Sequence, residues 1–112
     1  MSATVKNTMR EIMSRAWMLV RTYGMKMAEA LRQSWMVARL KAKMAKGIVK
    51  FAYEKVTTGE HRTAWGTLCT SEIPADAFGT NQRATHPTCV KYWDKERAGW
   101  RQFKAVNLLS IA

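Results

Sequence analysis

The spacing of apolar residues changes at Gly47, and this change constrains the fold more than any other feature of the chain. Between Thr4 and Gly47 there is no proline and only one other glycine, Gly24, and apolar residues recur every three or four positions, as on a helix. Beyond Gly47, β-branched and aromatic residues alternate with polar ones between glycines and prolines, which is typical of short strands. The sequence therefore predicts an α+β fold, with helices over residues 1–47 and strands over residues 48–112.

Two helices are predicted ahead of this change. The first spans about residues 4–22 and ends where Gly24 supplies a left-handed C-cap, and the second spans about residues 25–46. Trp17 and Trp35 fall on apolar stripes of these helices, so both are predicted to be core residues. The helices predict a hairpin packed on the second region, and a helix-turn-helix that reads a DNA groove is the weaker alternative.

Positive charge is concentrated in the helical region. The chain has 19 Lys and Arg against 8 Asp and Glu, a formal net charge of +11. Residues 1–47 carry ten basic and two acidic side chains, which places +8 of this excess there. Such a charge density attracts the phosphate backbone of nucleic acid by releasing counterions. The alternatives are an acidic protein partner and a charged surface that only aids solubility.

The second helix is predicted to carry the binding surface, because four of its cations share one side at about 100° per residue. They are Arg32, Arg39, Lys43 and Lys46. Two cations of the β-rich region, Arg101 and Lys104, are predicted to assist them. In the competing interpretation, these cations are paired with carboxylates of the β-rich region, namely Glu54, Glu60 or Asp94.

Five short strands are predicted after the helices. They span about residues 48–56, 61–68, 89–94, 100–104 and 106–111. A turn at residues 57–60 joins the first two, and a long connection with a short helical turn at residues 74–78 leads to the third. Five strands at this spacing predict a closed or half-closed antiparallel barrel, in which Gly66 permits a sharp bend.

The aromatic residues of the strands divide between the barrel interior and its surface. Trp100 and Phe103 are predicted to fill the interior. Trp65 and Trp93 lie beside cations, so they could stack on the bases of a single strand. Packing beneath the helices is the preferred interpretation, because a helix must cover some face of the sheet.

No enzyme activity is predicted, because the chain lacks a nucleophile elbow, a phosphate loop and a paired-carboxylate motif. Cys69, Cys89 and His86 fall short of the four closely spaced ligands of a structural zinc site. The two cysteines are therefore interpreted as reduced thiols. Neither a metal nor another cofactor is expected.

Three segments of the β-rich region are similar to the second WYL family (WYL_2). They are Ala64–Leu68 (AWGTL), Ile73–Ala77 (IPADA) and Tyr92–Ile111 (YWDKERAGWRQFKAVNLLSI), of which the last is the most specific. The resemblance covers about residues 48–111 and leaves the helices outside. It implies an Sm-like SH3 β-barrel in a small protein of gut bacteria and their mobile elements, and it implies no established activity. No ligand-binding residue of the related transcription regulators is matched here.

These features predict a small, basic, cytoplasmic protein that binds DNA or RNA in a regulatory or accessory role, with an association to phages or other mobile elements. Two domains are expected: a basic helical hairpin over residues 1–47 and an SH3-like barrel over residues 48–112. No apolar run approaches the roughly 20 residues of a transmembrane helix, so no membrane partner is expected. Two other functions remain open, protein–protein interaction through the barrel and sensing of a small molecule or nucleotide.

Overall fold

The computed structural model describes residues 2–55, 58–77, 86 and 88–112. Two helices, α1 (Ser2–Tyr23) and α2 (Met27–Lys46), precede five strands. The strands are β1 (Val49–Glu54), β2 (His61–Thr67), β3 (Cys89–Asp94), β4 (Gly99–Lys104) and β5 (Leu108–Ile111). The predicted order of two helices and five strands is therefore confirmed.

The two helices form the predicted hairpin. Gly24 ends α1 in the left-handed conformation, with φ at +68°, and its N–H donates back into the last turn of α1 over 2.9 Å. Between the helices, the Ser34 hydroxyl donates to the Ile12 carbonyl over 2.7 Å. Ala16 and Ala30 are fully buried, and such small residues allow two helix axes to approach closely.

The five strands form one antiparallel sheet in the order β4-β3-β2-β1-β5. β1 pairs with β2 over its whole length, and β3 pairs with β4 over its whole length. β2 and β3, in contrast, pair only at Gly66–Asp94 and Thr67–Trp93. No ladder joins β4 to β5 in the part of the chain that the structure describes, so the sheet is the half-closed form of the predicted barrel.

The hydrophobic core lies between α2 and one face of the sheet. The helix contributes Val37, Leu40 and Met44, all fully buried. On the sheet, the rings of Phe51 and Tyr92 meet edge-on with centroids 5.0 Å apart, and Tyr53 stacks on Phe103 at 4.9 Å. Because one cluster contains residues from both sides, α2 shares its core with the strands.

Hydrogen bonds fix α2 to the sheet at two places. The last carbonyl groups of a helix have no partner within it and must be satisfied elsewhere. Here the Met44 carbonyl accepts the N–H of Leu68, which follows β2, over 2.9 Å. Nearer the middle of the helix, the Gln33 side-chain amide donates to the carbonyls of Ala105 and Leu108 over 2.8 Å each. These bonds set the rotation of α2 about its axis.

The burial pattern of the helices corrects the prediction for both tryptophans. Trp17 and Trp35, predicted to be core residues, are 47% and 43% exposed. Among the α1 side chains that the structure describes, the buried residues are instead Ile12, Ala16 and Leu19. Small and aliphatic residues fill the contacts of each helix, and the large indoles remain outside.

Among the described residues, no helix is apolar enough over a sufficient length to cross a membrane.

The connection from β2 to β3 contains the predicted helical turn, which is a 3₁₀ turn at Ala75–Ala77; residues 78–85 lie outside the described part. The indole N–H of Trp100 donates to the last carbonyl of this turn over 3.0 Å, and its ring meets that of Trp93 edge-on at 5.5 Å. Trp100 therefore does not fill the interior, because it lies on the opposite face of β4 from Phe103, which does.

Three core side chains pack closely against Gly66. A Cβ atom there would lie 2.7 Å from a ring carbon of Tyr92 and 2.8 Å from one of Phe51. We predict that Gly66→Ala lowers the free energy of unfolding by about 1–3 kcal/mol, as overpacked cores do, in urea denaturation. Gly47→Ala is the matched control, since the space around its Cβ is open and its stability should stay near wild type. A Gly66→Ala protein of wild-type stability would contradict this packing.

The core also predicts a loss of stability at alkaline pH. Burial raises the pKa of Tyr92, and its hydrogen bond with Tyr53, at 3.1 Å between the hydroxyls, adds to the shift. A tyrosine in the unfolded chain ionises at about pH 10, so above that pH unfolding releases a proton and is favoured. Urea denaturation should therefore show stability falling above pH ~10, and less steeply in Tyr92→Phe. The exposed Tyr23→Phe is the control; an equal loss in both variants would refute this role of Tyr92.

Candidate nucleic-acid interface

One side of α2 carries the four cations predicted for the interface. All four are exposed, and we call them together the α2 basic face: Arg32, Arg39, Lys43 and Lys46. Val37 and Leu40 bury another side of the same helix against the sheet. Since an α-helix rises about 1.5 Å per residue, the basic face extends over about 21 Å. The structure thus brings the predicted helical residues together on one solvent-facing surface.

Trp35 lies at the edge of the α2 basic face and is exposed there, although its place on an apolar stripe predicted a core position. It follows Arg32 by three residues and precedes Arg39 by four, and these spacings make side chains neighbours on a helix. The same spacings in the sequence were the signal that could have identified it. An exposed indole between two guanidinium groups combines a flat apolar surface with positive charge.

Two grooves run beside the α2 basic face. The larger has a volume of about 610 Å³ and is lined by Met25, Glu29, Arg32, Gln33, Trp35, Met36 and Arg39. The smaller has a volume of about 290 Å³ and is lined by Met36, Arg39, Lys43 and Ile111. Because Met36 and Arg39 line both, the grooves adjoin and form one trough that follows α2 as far as β5.

The cations of the α2 basic face are not neutralised by the carboxylates considered in the sequence analysis. None of the four forms an ion pair within the described residues. Asp94 is fully buried and binds Arg62 instead, and neither Glu54 nor Glu60 pairs with any of the four. The positive charge of this face is therefore available to an external anion.

Arg101 and Lys104 lie apart from this arrangement, on β4. Arg101 is opposite Tyr92 in the register of β3 and β4, and its Nε lies 3.9 Å from the Asp94 carboxylate. Lys104 is half-buried and opposite Cys89. Neither residue lines the two grooves beside α2. Of the six predicted residues, the structure groups the four on the helix and leaves these two on the sheet.

A buried ion pair that the sequence analysis did not foresee joins β2 to the end of β3. Arg62 donates to the Asp94 carboxylate over 2.9 Å, with side chains 11% and 0% exposed. Burial by itself lowers the pKa of Arg62, but the hydrogen bond to Asp94 and two nearby tyrosines together raise it. Asp94 also accepts the N–H groups of Glu96 and Arg97, over 3.0 and 3.1 Å, which fixes the turn into β4. In the sequence, an aspartate at this position indicates a turn. Nothing in the sequence indicates that its partner is Arg62, 32 residues away.

The tryptophans of the sheet differ in exposure. Trp93 is buried and contacts Trp100, so it presents no free ring face to a base. Trp65 is 40% exposed, and the Lys50 ammonium lies over its ring at 5.6 Å. Trp93 is therefore packed, but against Trp100 on the face of the sheet opposite Tyr92 and not beneath the helices as predicted. Trp65 remains exposed, with a cation against its ring.

The two cysteines, Cys69 and Cys89, were considered as metal ligands in the sequence. Among the described residues, no three His, Cys, Asp or Glu side chains cluster as metal ligands would. Cys69 and Cys89 are both free thiols. The Cys69 sulfur lies 3.0 Å from the Ser71 hydroxyl, and this hydrogen bond lowers the pKa of the thiol. The expectation that folding needs no metal stays a prediction.

Comparison with known proteins identifies one family. Residues 37–109 match the WYL_2 family model, which is described as an Sm-like SH3 beta-barrel fold. The match begins within α2, ten residues before Gly47, whereas the sequence analysis confined the resemblance to about residues 48–111. The shared core of α2 and the sheet explains this earlier start, since the second half of the helix packs as part of the barrel. No curated protein and no solved structure matches the chain significantly.

The buried ion pair yields a stability prediction. Asp94→Asn leaves the charge of Arg62 buried without its partner, so we predict a loss of about 3–5 kcal/mol in chemical denaturation. Glu72→Gln is the matched control, because Glu72 faces Lys95 at 3.6 Å with both side chains well exposed, and such pairs contribute about 0–1 kcal/mol. If the two variants lose similar stability, the Arg62–Asp94 pair is not a structural tie between strands.

Proposed function

The chain belongs to the WYL_2 family, described as an Sm-like SH3 beta-barrel fold, and we propose that it binds nucleic acid through the α2 basic face. The proposed role is regulatory or accessory. One observation supports it above the others: four exposed cations lie in a row on a rigid helix, without an ion pair among the described residues.

The binding mechanism follows from the electrostatics of a phosphate backbone. Each Lys or Arg that contacts a phosphate displaces condensed counterions, and their release drives association without sequence preference. α2 is held by the core and by Gln33, so the cations are presented on a rigid support. A span of about 21 Å at 1.5 Å per residue allows them to follow one face of a backbone.

Docking of a protein partner through an apolar surface is the second candidate function, and a specific observation favours it. Met9, Met13 and Trp17 are 45%, 40% and 47% exposed, and their spacing of four residues places them along one side of α1. Exposed apolar stripes are common at protein–protein interfaces. A protein partner held by this stripe would depend on apolar burial, so its binding would respond weakly to salt.

The proposed function predicts a steep salt dependence that resides in α2. Changing Arg32, Arg39, Lys43 and Lys46 together to Gln should reduce the slope of log affinity against log salt on duplex DNA by about 3–4, close to one unit per phosphate contact. Gln is a good helix former, and all four positions are exposed, so the thermal melt should stay near that of wild type.

A matched variant of the sheet distinguishes the two parts of the molecule. Lys50, Arg101 and Lys104 are changed together to Gln, and the slope should fall by less than in the helix variant. If the sheet variant loses the larger slope, the binding surface lies on the barrel and not on α2. If wild-type protein shows no affinity for duplex DNA, single-stranded DNA or RNA at low salt, the protein-docking function replaces the proposed one.

A further inference from the structure

We infer that the ligand of the α2 basic face is single-stranded nucleic acid, with a base stacked on the indole of Trp35. This inference rests on the proposed function and adds to it the structural class of the ligand. Four exposed cations alone would serve duplex and single strand equally. Trp35 is the residue that favours a single strand over a duplex.

Trp35 is a large apolar side chain that α2 presents to solvent within its row of cations. It is 43% exposed, although α2 packs on both α1 and the sheet and buries other side chains against each of them. Arg32 and Arg39 are its neighbours on the helix surface, one on each side along the axis. A phosphate on either guanidinium would bring the attached nucleoside beside the indole.

The trough beside α2 gives such a base a place to lie. The larger groove is an open depression with a volume of about 610 Å³, and Glu29 lines it together with Arg32, Trp35 and Arg39. Trp35 and Met36 supply apolar lining, and the Gln33 side-chain amide is held by the carbonyls of Ala105 and Leu108. The adjoining groove continues past Arg39 to Lys43, which gives the strand a path for its next phosphates.

The accessibility of base faces decides between single and double strands. In a duplex the bases stack on one another and offer only their edges in the grooves, so an indole cannot stack on them unless the duplex opens. In a single strand the base faces are free, and aromatic side chains among cations are the usual means of binding them. The exposed Trp35 therefore contributes to binding of a single strand and not of a duplex.

Trp17 and Trp65 are also exposed, but Trp17 lies on α1 outside both grooves. Trp65 is a second candidate stacking platform, and the structure favours Trp35 over it. The Lys50 ammonium occupies the space over the ring of Trp65, at 5.6 Å from its centroid. No cation lies over the Trp35 ring within the described residues. Trp65 also lies on the sheet, outside both grooves beside α2. It is consequently the matched control.

The test compares binding of labelled oligo(dT) and oligo(rU) of about 15 nucleotides, within the site sizes of known single-strand binders, with a duplex of equal length. For Trp35→Leu we expect a loss of single-strand affinity of roughly 5- to 150-fold, the range measured for one stacked base. Duplex affinity should change little. Trp35→Phe should retain most of the single-strand affinity, and Trp65→Leu should match wild type.

The salt dependence separates this inference from the proposed function. Stacking releases no counterions, so Trp35→Leu should lower single-strand affinity at every salt concentration without changing the slope, whereas Arg39→Gln should lower the slope by about 0.7. If wild type binds with a steep slope but Trp35→Leu keeps its single-strand affinity, the inference is wrong and the proposed function stands. If wild type binds no nucleic acid, both are wrong. An equal loss on duplex and single strand would also overturn the inference.

Discussion

The missing side chain at Gly66 is the constraint on which the rest of the structure depends. Met44 of α2, Phe51 of β1 and Tyr92 of β3 all converge on the space that a Cβ atom there would occupy, at 3.3, 2.8 and 2.7 Å. Because three elements meet at this point, the helix can lie directly against the sheet. The hydrogen bond from Leu68 to the last turn of α2 then holds the two together.

Docking of α2 on the sheet determines what the helix presents to solvent. α2 has apolar residues on more than one side, and only the side with Val37 and Leu40 reaches the sheet core. Ala30 turns toward α1, where small residues bring the two helices together. The remaining side carries the cations and Trp35. This side is exposed because other sides of α2 pack on the sheet and on α1.

The distribution of charge also differs between the sheet and the solvent-facing side of α2. The sheet sequesters Asp94 with Arg62, and the ion pair serves to fix the turn into β4 and the approach of β2. A buried carboxylate cannot neutralise a distant helix, so α2 keeps its charge. The composition of the sequence correctly indicated an excess of positive charge in the helical region. It did not indicate that Arg101, predicted to assist the α2 basic face, lies near the Asp94 carboxylate instead.

Periodicity and turn residues determined the elements, because they act over a few neighbouring positions: the sequence by itself established the two helices, the five strands and the cap at Gly24. The segments similar to WYL_2 established the family. Tertiary structure alone decided that Trp17 and Trp35 are exposed, since a helix with several apolar sides does not reveal which one meets a partner. It also decided the Arg62–Asp94 pair, because contacts across 32 residues depend on how the strands are placed and leave no local pattern.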